Sequence, residues 1–191
     1  MNDSDFNYLL SNIGSDVTIN DIPARVLILN TKVNSEFDDK KIISKEVLKR
    51  GDLVDFDNNK YLVISEVNGD RTNNTYQALI RNTNYNIKFN FAGFIKSFPV
   101  ILTNQALGLE TNKYSITLPS GKMLVYLQEN DDTLGIAIDQ RFIKISNAYT
   151  VSGINRSMKG LILLTCDVDT FNTNDDKVNE IADKTDTWSI V

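Results

Sequence analysis

From residue 16 to residue 166 the chain is a succession of short apolar runs cut by turn residues, and this pattern restricts it to a small set of folds. Val17 and Ile19 alternate with polar residues, and residues 22–29 (IPARVLIL) form an apolar, β-branched run. Further runs fall at 53–56, 61–67, 76–81, 87–91, 97–102, 114–118, 122–128, 141–145, 149–154 and 159–168. Such runs are shorter than most globular helices and suit strands. Between them lie Asp57-Asn58-Asn59-Lys60, Pro119-Ser120-Gly121 and Ser146-Asn147-Ala148, residue types that enter turns readily. Short strands and turns at this spacing predict a mainly β protein, an antiparallel β-barrel or sandwich.

A faint internal repeat raises the possibility of two similar β units in tandem. Tyr61-Leu62-Val63 resembles Tyr149-Thr150-Val151, and Ile22-Pro23-Ala24-Arg25-Val26 resembles Phe98-Pro99-Val100-Ile101-Leu102. Unrelated hairpins share such patterns too, so duplication and coincidence both stand.

Three segments escape the strand pattern. Residues 5–13 predict a short N-terminal helix, capped by Asp3 or Ser4, with Phe6, Leu9, Leu10 and Ile13 on one face. Residues 31–49 are highly charged and read as one long loop, which inside a compact domain points to function or disorder. Residues 167–191 hold seven acids and two bases and read as an acidic C-terminal tail. Within the tail, 175–184 has the spacing of a short helix with Val178, Ile181 and Ala182 on one face. A helix that short needs a partner, which makes Val178 and Ile181 tail docking candidates. The expected organisation is therefore a helical segment at 1–15, β units at 16–86 and 87–166, and the tail at 167–191.

Charge and composition narrow the function. The tail carries the whole net charge of −5, and residues 1–166 balance 18 acids against 18 bases. That balance gives no electrostatic footprint for sequence-independent DNA binding. The chain has no histidine, which removes the commonest general base, metal ligand and partner for a Ser or Cys nucleophile. Cys166, the single cysteine, sits in an apolar run and reads as a small buried hydrophobe. No phosphate-binding glycine loop is present. The acid pairs Asp38-Asp39, Asp131-Asp132 and Asp175-Asp176 are expected as solvated charge in exposed loops or the tail. The stretch from Asp167 begins like a calcium loop but has Phe171, Asn172 and Val178 where that loop needs a ligand, a glycine and a glutamate. The expectation is a non-enzyme with no catalytic residues, no metal and no cofactor. The N-terminus lacks a secretory pattern and no apolar run is long enough to span a bilayer, so the expected site of synthesis is a cytoplasm with no membrane partner.

Several of these stretches resemble a known family. Asp16-Val17-Thr18-Ile19-Asn20, Ile22-Pro23-Ala24-Arg25-Val26-Leu27-Ile28, Lys49-Arg50-Gly51-Asp52-Leu53-Val54-Asp55-Phe56 and Lys60-Tyr61-Leu62-Val63-Ile64 are similar, in that order, to the head-closure proteins, or stoppers, of tailed phages. Tyr76-Gln77-Ala78-Leu79-Ile80-Arg81-Asn82 continues the likeness, and Asp139-Gln140-Arg141-Phe142 and Ile181-Ala182-Asp183 resemble a longer subgroup from phages of low-GC Gram-positive hosts. The sequence departs from the family pattern at Tyr61, where many members have Trp, and at Thr83, where many have Cys. The resemblance implies a structural protein of the virion neck, assembled in the host cytoplasm. Like subunits would form a ring that links portal or adaptor to tail proteins and retains packaged DNA without sequence-specific contact. It also implies that the long loop reaches the channel, which makes Phe37, Asp38, Asp39, Lys40, Lys41 and Ile42 closure-loop candidates. A ring-former of this kind is expected to keep edge strands for its neighbour. The alternatives are another neck or tail part, such as a tail terminator or baseplate element, and a host- or carbohydrate-binding β module.

Overall fold

A computed structural model describes residues 3–31, 38–70, 74–104 and 121–184. The fold is mostly β, with two barrel-like sheets in tandem. The described residues divide after Thr83 into two compact units, and Lys159–Leu161 belongs to the first.

The first unit opens with helix α1 (Asp3–Ile13). Phe6 is fully buried, Leu9 and Leu10 are half-buried, and Ile13, expected on the same face, is exposed. Gly14 ends the helix. Its N–H donates to Leu10 O (3.1 Å), and an added Cβ would stand 2.1 Å from that same oxygen. Seven strands follow: β1 (Ser15–Ile19), β2 (Ile22–Asn30), β3 (Asp39–Ser44), β4 (Leu53–Phe56), β5 (Asn59–Val63), β6 (Asn68–Asp70) and β7 (Thr75–Asn82). Two-residue turns join β1 to β2 (Asn20, Asp21) and β4 to β5 (Asp57, Asn58), all four residues at positive φ. Asn and Asp tolerate that backbone, and the turn it makes matches strand twist.

The sheet order is β3-β2-β1-β4-β5-β7-β6, and β3 also pairs with β7. One edge of β7 therefore carries β3, and the other carries β5 and then β6. This closes the barrel through backbone hydrogen bonds. Inside lie Val26, Ile42, Val54, Tyr61, Val63 and Ile80, all buried. Removing such side chains from water contributes roughly 1.5–3 kcal/mol each.

This closure corrects the reading of 31–49 as one loop. Residues Asp39–Ser44 are a strand, paired with β2 from Leu27↔Ile43 to Asn30↔Lys40 and with β7 from Asp39↔Arg81 to Ser44↔Tyr76. Its two inward positions are Ile42 and Ser44. One apolar residue and one serine, among lysines and an aspartate, show no strand alternation in the sequence.

The second unit holds β8 (Tyr85–Phe91), β9 (Phe94–Thr103), β10 (Lys122–Gln128), helix α2 (Asp131–Leu134), β11 (Arg141–Lys144), β12 (Asn147–Asn155) and β13 (Leu161–Asp169). The strand expected at 114–118 and residues Pro119-Ser120 of the turn after it lie outside the described residues. The β11–β12 turn is Ile145-Ser146, one residue earlier than expected, and both residues have positive φ. The sheet order is β11-β12-β13-β10-β9-β8, which leaves β11 and β8 at its two ends. The ends meet through side chains. Phe89 of β8 packs edge-on to Phe142 of β11 at 5.5 Å, and Phe142 stacks on Tyr149 at 5.3 Å. Gln140 Nε2 donates to Asn90 O (3.0 Å) across the same junction.

Candidate functional site

Two clusters of charged side chains stand out, one in each unit. In the first unit the β2–β3 connection is anchored at its base. Thr31 Oγ1 donates to Asp39 O (2.7 Å). Asp38 accepts from Lys40 Nζ (2.9 Å) and from Tyr61 Oη (3.2 Å), and Lys40 also lies over the Tyr61 ring. The Asp38 contact raises the Lys40 ammonium above its ordinary value, against burial. Burial raises the Tyr61 hydroxyl. Asp39 faces Arg81 across the β3–β7 ladder and accepts from its Nε (2.6 Å) and Nη2 (2.7 Å). Such a bidentate pair fixes geometry as well as charge.

These facts relocate the closure-loop candidates. Phe37 lies outside the described residues. Asp38 is exposed at the stem of the connection. Asp39, Lys40 and Lys41 are half-buried strand residues and Ile42 is fully buried in the barrel core. Ile42 therefore packs inside its own barrel. Asp39 likewise is not the exposed loop acid that the sequence suggested. Asp131 and Asp132 are exposed, in the first turn of α2, where Asp132 pairs with Lys96 at 2.5 Å.

The second cluster overturns the picture of a solvated tail over residues 167–184; residues 185–191 of the expected tail lie outside the described residues. Residues 167–169 complete β13, and 170–184 fold onto the second unit. Arg141 gathers them. Its Nε donates to Asp169 (2.7 Å), Nη1 to Asp183 (2.6 Å) and Asp175 (3.0 Å), and Nη2 to Asp175 (3.1 Å) and Thr170 O (2.7 Å). The guanidinium side chain is 7% exposed and that of Asp175 is 0% exposed. Burial alone would lower Arg141, but the carboxylates of Asp175, Asp169 and Asp183 outweigh it and hold the arginine above its ordinary value. In return Asp169 is lowered, first by Thr150 and then by Arg141. Asp175 is lowered because Arg141 and two backbone N–H groups outweigh its burial.

The same segment reaches the two end strands of the sheet. On the β8 side, Lys88 Nζ donates to Asn179 O and Asn90 Nδ2 to Asp183 O, both at 2.7 Å. On the β11 side, Lys144 Nζ pairs with Glu180 at 2.5 Å, and Ala182 packs into a small apolar cluster with Ile143 and Ala148. Residues 170–184 thus strap the junction of β8 and β11.

The strap is not the helix expected at 175–184. It is a run of turns with one internal β-bridge, Asp176↔Ile181. Asp176 accepts from Asn179 N–H (3.0 Å), and Glu180 and Asp183 take positive φ. Side chains that bind nearby backbone compete with helix in this way. Of the docking candidates, Val178 is 92% exposed and Ile181 half-buried; Ala182 is the residue that seats. The resemblance touched Arg141 and Asp183 but gave them no role, because the partners of Arg141 are 28, 34 and 42 residues away in the sequence.

Cys166 is fully buried in the second core, and burial pushes its thiol up to about 12, so it is a thiol and not a thiolate. Among the described residues no three His, Cys, Asp or Glu side chains gather where they could hold a metal ion. No helix of the described residues is long and apolar enough to cross a membrane.

Comparison with known proteins adds origin. No curated protein sequence matches. A solved structure described as "MrkH, A novel c-di-GMP dependence transcription regulatory factor" is similar at 8% identity and a TM-score of 0.22, over 90% of this chain and 83% of that one. A likeness that weak carries no argument. The family matches are sequential and follow the two barrels. Residues 1–82 match the YomX N-terminal domain and residues 85–167 the YomX C-terminal domain. With both domains present in order over most of its length, the chain belongs to the YomX family, a phage-derived family.

Proposed function

We propose that the protein is a structural component of a tailed-phage particle: a ring-forming head-closure protein of the neck, linking portal or adaptor to tail and retaining packaged DNA. The observation that carries this reading is the assignment of both barrels to a phage-derived family. Other features support it. The carboxylates of both clusters are paired with Arg81, Lys40 or Arg141, an arrangement that holds chains in place and leaves no poised acid or base. The balanced charge of residues 1–166 suits a wall that DNA must pass, because a strongly basic wall would grip the genome. On this proposal the side of the first barrel that carries Asp38, at the stem between β2 and β3, faces the channel. In this reading the protein is not an enzyme, needs no cofactor, has no membrane partner, and meets like copies, portal, adaptor and tail proteins.

Electron microscopy tests the reading at two levels. The purified protein should form closed rings under negative stain, and the particle should hold one such ring between portal and tail tube. A ring elsewhere in the tail assigns a different virion part. Particles that lack the protein overturn the structural reading.

A further inference from the structure

The surface over the β8–β11 junction makes strict demands on whatever covers it. Arg141 is buried, and of its three carboxylate partners only Asp169 belongs to the barrel strands; Asp175 and Asp183 arrive with the strap. Lifting the strap would leave the guanidinium with Asp169 as its one carboxylate partner and uncover Ile143 and Ala148. The lost charge-assisted hydrogen bonds and the exposed apolar surface both disfavour an empty junction. The junction therefore requires an occupant that brings two carboxylates and a small apolar residue in this arrangement. A second copy of the same strap meets that requirement.

Two further observations make an exchange feasible. The strap adds no rung to the six-stranded sheet, since the β-bridge it contains is internal. Moving it disturbs no strand pairing. It also presents charge complementary to its seat, with Asp175, Glu180 and Asp183 facing Arg141 and Lys144. Thr170 O bonds Arg141, and Asn172 and Asn174 bond within the strap, so redirecting the strap re-forms the Thr170 bond as well as the ion pairs.

We infer that the junction is a contact surface between copies. In the assembled form each copy's strap docks on its neighbour, with Asp175 and Asp183 on the neighbour's Arg141 and Glu180 on the neighbour's Lys144. The inference rests on the ring reading above. Swapping an identical element adds no new kind of contact, and a head-to-tail hand-over of this type is the heterologous interaction that closes rings. In the free protein the strap folds back on its own barrel, and assembly shifts the same bonds from within a copy to between copies.

The test uses the unmodified protein. Copies labelled with nitrogen-15 are mixed in equal amount with unlabelled copies and allowed to assemble. A carbodiimide then joins lysines to carboxylates in contact, and mass spectrometry reads the peptide linking Lys144 to Glu180. Exchange predicts that about half of those peptides in the assembled fraction carry one label of each kind, as random neighbours give, and that the monomer fraction carries none. Assembled rings whose Lys144–Glu180 peptides are all of one label overturn the exchange and leave the ring reading intact. Failure to assemble at all, with only same-label peptides, removes both.

Discussion

In the first unit β3 and β7 meet along paired residues from Asp39↔Arg81 to Ser44↔Tyr76, so backbone hydrogen bonds run round the whole barrel. In the second, β8 and β11 end the sheet and meet through Phe89 and Phe142, with a polar strap laid across them. A closed ladder removes its own edges, whereas an open one must be covered. The expectation that a ring-former keeps edges for a neighbour therefore divides. The first barrel offers no free end between β3 and β7, and the second covers its ends with residues 170–184.

The largest effect should come from Arg141. Arg141→Ala leaves Asp175, with its side chain at 0% exposure, beside no cation, and should cost about 3–5 kcal/mol. Urea unfolding monitored by hydrogen exchange should place the loss in β11–β13 and the strap while β1–β7 keep their protection. Uniform loss over both units would break the contrast.

Next comes Ile42, fully buried in the first core. Ile42→Ala should cost about 2–5 kcal/mol in the first unit, the penalty of a core cavity. An unchanged midpoint would restore Ile42 to a surface loop.

The smallest effect is set by pH and has opposite signs in the two units. Asp169 and Asp175 are lowered in the folded state. Their contribution is present above the ordinary carboxylate value of 3.8 and is lost as pH falls through the lowered values, so acid should loosen the strap first. Lys40 and Tyr61 are raised. Their contribution is present below about 10 and is lost as pH rises through the raised values, so alkali should loosen the base of the β2–β3 connection first. Amide exchange at both extremes reads the difference, and loosening in the same order at both would contradict it.

Much of the fold was legible in the sequence because most strands bury an alternating face. Val17 and Ile19, the run at 22–29, and Tyr61 to Val63 all enter the first core or its wall. β3 was not legible, since Ile42 alone marks its inward face and its charges become a strand only between β2 and β7. β6, Asn68–Asp70, has no apolar residue at all. The charged clusters were hidden for a related reason. Acids in a tail read as solvated until the fold brings Arg141 to them, and a local window holds no trace of a partner tens of residues away. Cys166 was legible because its neighbours Leu161 to Leu164 already describe a buried strand.

The different closures also set an order of completion. Every strand of the first barrel has been made once Asn82 leaves the ribosome, and β7 can then join β3. The second barrel waits for Lys184, the last described residue of the strap. Since domains tend to fold in the order they are synthesised, the first barrel is finished while the second still lacks its cover. Until then the ends of β8 and β11 are open to whichever strap arrives first, and in a cell making many copies that strap need not be their own.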